Sequence, residues 1–216
     1  MSALRAVLFD MDGTLVDTEE TWVEVVERVA ARHGHALVGA GRRAVYGRSV
    51  EDTAEMLYEP LGAERAALAA ELGEGFAARL AEGAEPRPGA LRLLSALRRD
   101  GVPTALVSAS PRAVVDRVAA SLDGHRFDAV YGAEDTPRTK PAPDPYLAAA
   151  RALGAEPAQC VAVEDTVTGV TSAEAAGCAV LAVPSVEPIA PARGRTVLAS
   201  LEEADLALLR SLISTG

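Results

Sequence analysis

Short, unbroken apolar runs alternate along this chain with segments whose apolar residues recur every three or four positions. The runs are Ala6–Phe9, Thr104–Val107, Ala129–Tyr131, Cys160–Val163 and Ala179–Val183, most of them bounded by Asp, Ser or Gly. Continuous rather than alternating apolarity predicts strands buried on both faces. Between the runs, leucines at 91, 94 and 97 predict a helix over Ala90–Arg99, and Val114, Val115, Val118 and Leu122 predict one over Ser110–Leu122. Residues 144–153, 167–176 and 201–213 also read as helices, and Val183–Arg195 as a loop. Strand–helix alternation of this kind predicts an α/β fold, a Rossmann-like parallel sheet covered by helices.

The first strand breaks the rhythm. After Phe9 no second strand is expected until about residue 103. The stretch from Thr18 to about Glu82 carries helical stripes instead: Val23, Val26, Val29 and Ala30; Met56 and Leu57; Leu68, Leu72, Phe76 and Leu80. Gly39, Gly41, Gly47, Pro60 and Gly62 punctuate it, and Pro86-Arg87-Pro88-Gly89 closes it with a stiff connector. A helical domain inserted into an α/β core is the expected organisation, with residues 1–16 and 85–216 as the core and 17–84 as the insert.

Composition narrows the class. The chain has 216 residues, 49% hydrophobic and 24% charged, which suits a folded domain with a sizeable core. No apolar run approaches the roughly 20 residues that cross a bilayer. Met1-Ser2-Ala3-Leu4-Arg5 does not resemble a secretory leader, so a cytoplasmic protein is expected. With 21 Lys+Arg against 31 Asp+Glu the net charge is -10, which argues against a nucleic-acid or membrane-surface partner. Two cysteines, Cys160 and Cys178, cannot build a disulfide framework or a four-cysteine zinc site, and buried packing is expected of both. Lys140 is the only lysine among those 21 basic residues. A tight site that needs a compact tetrahedral cation would resist the replacement of lysine by a planar guanidinium.

In an open parallel sheet, ligands bind beyond the carboxyl ends of the strands. Asp10-Met11-Asp12-Gly13-Thr14 follows the first predicted strand, Ser108-Ala109-Ser110 the second, and Glu164-Asp165-Thr166 the fourth, with Lys140 after the third at a distance. Carboxylates at Asp10 and Asp12 with Asp165 facing them repel one another unless a cation intervenes. Oxygen ligands favour Mg²⁺, which accepts substrate phosphate. An EF-hand is excluded because its sixth and twelfth positions hold Leu15 and Thr21 instead of Gly and Glu. Ser110-Pro111 reads as a cap and first turn whose free amides suit an anion.

These residues resemble the four motifs of the haloacid dehalogenase (HAD) superfamily, in its beta-phosphoglucomutase-like subfamily I branch. Asp10-Met11-Asp12-Gly13-Thr14-Leu15-Val16-Asp17-Thr18-Glu19 is similar to the first motif, and Val107-Ser108-Ala109-Ser110 to the second. Lys140-Pro141-Ala142-Pro143-Asp144 is similar to the third. Val163-Glu164-Asp165-Thr166, running on to Gly169 and Ala175-Ala176-Gly177, is similar to the fourth. The resemblance implies a helical cap over residues 17–84, hinged at Asp17-Thr18 and Glu85-Pro86-Arg87-Pro88. It also implies a Mg²⁺-dependent phosphatase of a small phosphorylated metabolite, a sugar phosphate or similar.

In that reading Asp10 is the nucleophile that forms an aspartyl-phosphate, and Asp12 is the general acid and base. Mg²⁺ is held by Asp10, the main-chain carbonyl of Asp12, Asp165 and Glu164. Ser108, Ala109 and Lys140 bind the phosphoryl oxygens, and Thr14 braces the loop. The acid at Asp12 favours phosphate over halide chemistry. Response-regulator receivers gather similar groups but are shorter, with the nucleophile after their third strand. Phosphosugar mutases of this branch carry a histidine where this chain has Trp22. Hydrolysis is therefore expected, with a mutase as the alternative and a regulatory or binding protein on the same scaffold as the non-enzyme alternative. Glu19, Trp22, Tyr46 and Arg48 are the cap positions that could face a substrate. Cap packing for Trp22, solvent exposure for Arg48 and a helix-start acid for Glu19 are the alternatives. His33, His35 and His125 match no ligand spacing.

Overall fold

A computed structural model describes residues 3–46, 48–122 and 124–214, so Gly47 and the extreme N-terminus considered above lie outside it. The strands are β1 (Ala6–Phe9), β2 (Thr104–Val107), β3 (Ala129–Tyr131), β4 (Cys160–Glu164), β5 (Ala179–Ala182) and β6 (Arg195–Val197). They form one parallel sheet in the order β3-β2-β1-β4-β5-β6, an α/β Rossmann-like arrangement. Val7 pairs with Thr104 on one side and Val161 on the other. The chain runs outward from β1 through β2 to β3 and then returns across β1 to β4. The order therefore reverses between β1 and β4, the point beyond whose carboxyl ends open sheets of this kind bind ligands.

The helices are α1 (Thr18–Arg32), α2 (Ala40–Arg43), α3 (Val50–Leu61), α4 (Arg65–Ala81), α5 (Ala90–Arg99), α6 (Arg112–Ser121), α7 (Asp144–Ala152), α8 (Val167–Ala176) and α9 (Leu206–Ser214). The chain divides into two compact units, Asp17–Ala84 and the remainder. In the larger unit, β1, β2 and β4 are buried along their whole length, as unbroken apolar strands require. On one face, Ala6, Leu8, Val107 and Ala162 pack with Tyr146 and Ala149 of α7 and Val170 and Ala173 of α8. In the smaller unit, Val23, Val26 and Val29 of α1 meet Leu57 and Leu61 of α3 and Leu68 and Leu72 of α4. Asp17 caps α1 by accepting from the Glu20 N–H (3.2 Å), and Ser49 caps α3 by accepting from Asp52 (3.0 Å).

Four local expectations are corrected. The buried stripe of α5 is Ala90, Leu93, Leu94 and Leu97, while Leu91 is only half-buried. Ser110 does not cap α6: Pro111, in an extended conformation, precedes the first helical residue, and the Ser110 amide donates to Ser108 Oγ at 2.9 Å. The terminal helix is split into a 3-10 turn at Leu201–Glu203 and α9, with extended Ala204 between them. Arg195–Val197, read partly as loop, forms the edge strand β6.

Candidate active site

The backbone of β1 delivers Asp10 directly, since its N–H continues the ladder onto Val163 O at 2.9 Å. The loop then folds on itself, with the Gly13 amide donating to Val16 O (2.9 Å) and that of Leu15 to Met11 O (3.0 Å). Gly13 has φ +81°, and a Cβ there would lie 2.1 Å from Asp165 Oδ2. Glycine at this point is what lets the two loops approach. Thr14 Oγ1 donates to Asp165 Oδ1 at 3.2 Å, and Ser185 Oγ donates to Asp165 Oδ2.

From β4, Glu164 enters as the last strand residue, with no exposed surface. Its carboxyl group lies against α8, where a Cβ at Gly169 would fall 1.9–2.0 Å from it. Lys140 arrives from the segment before α7, through a cis peptide to Pro141, and its side chain is only 6% exposed. The ammonium donates to Asp10 Oδ1 (2.6 Å), Glu164 Oε1 (2.6 Å) and Val107 O (2.9 Å). All three of its protons are thereby engaged.

Asp10, Glu164 and Asp165 each present an oxygen within 4.8 Å of the others, and all three are buried. Three carboxylates against one ammonium leave two formal negative charges in a buried site when all three are ionised. Burial, and next the charge of Asp10, push the Asp165 carboxyl up to about 8. Burial likewise raises Glu164. Burial pulls the Lys140 ammonium down, but the carboxylates of Asp10 and Glu164 outweigh it and hold its pKa above the ordinary value. Asp10 Oδ2 is buried with no hydrogen-bond partner. An all-oxygen donor set, carboxyls whose ionisation is opposed by burial and mutual repulsion, and one orphaned carboxylate oxygen fit a small hard divalent cation such as Mg²⁺.

Asp12 is not among the three carboxylates gathered at the possible cation site. Its half-buried carboxyl turns toward the loop after β2, where Oδ2 accepts from Ser108 Oγ (2.8 Å) and Ser110 Oγ (2.9 Å). Ser108 is buried and Ala109 is exposed beside it. The strand ends thus assemble Asp10, Thr14, Lys140, Glu164 and Asp165 in one network, with Asp12 bonded to Ser108 and Ser110 on the same rim.

The remaining candidates belong to the smaller unit. Trp22 is buried, its ring edge-on to Phe76 with centroids 5.3 Å apart and its indole Nε1 without a hydrogen-bond partner. Tyr46 donates to Glu20 Oε2 (2.6 Å) and accepts from Arg42 (2.7 Å). Arg48 is exposed and donates to Ala44 O (2.6 Å), while Glu19 is half-buried in the first turn of α1.

Tyr146 and Ser185 were not anticipated. The Tyr146 hydroxyl donates to Glu164 Oε1, with its ring centroid 5.2 Å from Lys140 Nζ. A lone tyrosine on the alanine-rich face of α7 was the available signal; Ser185, inside an apparent loop, offered none.

A family profile described as haloacid dehalogenase-like hydrolase matches residues 4–177, which takes in Asp10, Asp12, Ser108, Lys140, Glu164 and Asp165. The chain belongs to this family. Hexitol phosphatase A of Escherichia coli K12 is 37% identical to this HAD hydrolase over 192 residues, covering 83% of the chain and 82% of that protein. The bifunctional riboflavin kinase/FMN phosphatase of Arabidopsis thaliana is 32% identical over 184 residues, and the match spans 83% of the chain but 48% of that protein. The crystal structure of CbbY from Rhodobacter sphaeroides in complex with phosphate superimposes with a TM-score of 0.75 at 28% identity, covering 95% of this chain and 99% of that one. With this kinship, the HAD hydrolase is a phosphoric monoester hydrolase. No helix among the described residues is long and apolar enough to cross a membrane.

Proposed function

We propose that this HAD hydrolase is a Mg²⁺-dependent phosphatase that cleaves a small phosphomonoester, a sugar or polyol phosphate, through an aspartyl-phosphate on Asp10. The observation that carries the reading is the buried set of three carboxylates around a lone ammonium, with one oxygen of Asp10 unpartnered. A carboxylate oxygen of Asp10 forms a bond to phosphorus as the bond to the leaving alkoxide oxygen breaks. Asp12 gives that oxygen its proton, then takes a proton from the water that cleaves the acyl-phosphate and releases inorganic phosphate. The hydroxyls of Ser108 and Ser110 hold the Asp12 carboxyl in one orientation for both transfers.

Asp10, Glu164 and Asp165, with the Asp12 main-chain carbonyl, would hold Mg²⁺. Bound there, the ion would neutralise charge on the phosphoryl oxygens. With substrate bound, Lys140 and Ser108 would each turn a donor from its present partner to the phosphoryl oxygens and, with the backbone at Ala109, hold the transferring group in line. The name of the hexitol phosphatase relative supports a polyol or sugar phosphate.

The test is Asp10→Asn assayed with an aryl phosphate and Mg²⁺. Turnover is expected to fall by about a thousandfold or more, while circular dichroism stays unchanged. Near-wild-type turnover would remove Asp10 as the nucleophile.

A further inference from the structure

We propose that Tyr146 is a positioning residue for the cation site, its hydroxyl fixing Glu164 so that one carboxylate oxygen serves Lys140 and the other stays available to a metal. This rests on the Mg²⁺ reading above. Tyr146 is fully buried, on a helix whose neighbouring residues Ala148, Ala149 and Ala150 are small. A phenylalanine would fill the same volume and keep the ring beneath the Lys140 ammonium. Packing therefore explains the ring and leaves the hydroxyl unexplained, because a buried phenol is destabilising unless it is hydrogen-bonded. Its partner is Glu164 Oε1.

The two oxygens of Glu164 are differently employed. Oε1 takes two donors, the Tyr146 hydroxyl and the Lys140 ammonium (2.6 Å), whereas Oε2 accepts a single long contact from the Asp165 amide (3.3 Å). Gly169 closes in on the carboxyl group from α8, and Ser172 of the same helix donates to Ala142 O (2.5 Å), tying it to the segment that carries Lys140. With Oε1 doubly occupied, the free lone pairs of Glu164 are concentrated on Oε2, beside Asp165. Without the hydroxyl, Oε1 has one donor and the carboxyl can rotate within the site, so both the cation and Lys140 lose a fixed partner. Outer-shell partners of this kind change metal affinity by about 10- to 100-fold.

The experiment compares wild type with Tyr146→Phe, and with Tyr146→Met, which also lacks the hydroxyl but packs more pliably. Mg²⁺ affinity is read by titration calorimetry, the Mg²⁺-induced rise in Tm by thermal denaturation, and kcat and KM at saturating Mg²⁺. The expected result in whichever variant folds is a Mg²⁺ Kd weakened by about tenfold and a smaller Mg²⁺-induced rise in Tm. A purely structural tyrosine would lower Tm equally with and without Mg²⁺ and leave Kd unchanged, and that outcome overturns the proposal. Should wild type itself bind no Mg²⁺ and release no phosphate, the failure lies with the function proposed above. Wild-type binding with an unaltered Kd in the variants rejects the role of Tyr146 alone.

Discussion

Two glycines set how closely the acids of the site can gather. Gly13 admits Asp165, and Gly169 admits the Glu164 carboxyl, at distances where any Cβ would overlap a side-chain atom. Gly169→Ala is therefore expected to lower stability by about 1–3 kcal/mol through overpacking, and to reduce the Mg²⁺-induced rise in Tm because the carboxyl must move. Urea denaturation and thermal melts with and without Mg²⁺ check both effects; an unchanged melt in each condition would show that the contact is not enforced. At this scale the acids and the lone lysine were visible as residues placed after apolar runs. The direction in which each side chain turns was not. Asp12 Oδ2 accepts from two serine hydroxyls, because donors from the loop after β2 reach it. Only the folded register of β1 against β2 brings those donors near.

The junction of β4 and α8 carries the acids, and its geometry depends on a helix start. Thr166 caps α8, its hydroxyl accepting from the Gly169 N–H at 3.1 Å, directly after Glu164 and Asp165. Removing the hydroxyl in Thr166→Ala should destabilise the protein by about 1 kcal/mol, read as a lowered urea midpoint with an unchanged slope. A midpoint identical to wild type would show that solvent replaces the cap without loss. Elements buried on both faces were legible, since β1, β2, β4 and β5 appear as unbroken apolar runs. The edge strand β6 was not, because Arg195-Thr196-Val197 is short, half-buried and mostly polar. Its place is fixed by pairing with β5 and by Arg195 donating from Nε and Nη2 to the Glu174 carboxylate (both 2.8 Å). The start of α6 also shifted, as Pro111 takes the extended conformation that precedes a helix where Ser110 had the better capping side chain.

For the whole molecule, the consequence of burying so much negative charge is a stability that depends on pH and metal together. Asp165, with its carboxyl pushed up to about 8 from an ordinary 3.8, binds a proton more tightly when folded than when unfolded. Its contribution is therefore fully present below about pH 4 and is lost as pH rises through about 8. Glu164 is shifted the same way, while Lys140, held above its ordinary value, stays charged across this window. His125 works in the opposite sense: burial lowers its pKa, so its contribution is present above 6.5 and is lost as pH falls. Comparing melts with and without Mg²⁺ at each pH cancels His125, which pairs with Thr104 at the start of β2, the opposite end from the acids. Metal binding requires ionised carboxylates, so the Mg²⁺-induced rise in Tm should grow from pH 6 to pH 8.5. A rise that shrinks over that range would contradict the assignment of these acids to the cation. The most direct test of the central claim is to trap the covalent state. The enzyme is acid-quenched during turnover of a phosphomonoester with Mg²⁺, reduced with borohydride, and mapped by mass spectrometry. The account predicts that the acyl-phosphate is reduced to homoserine at position 10 and nowhere else. Turnover that leaves Asp10 unmodified, or that places phosphate on another side chain, would contradict it.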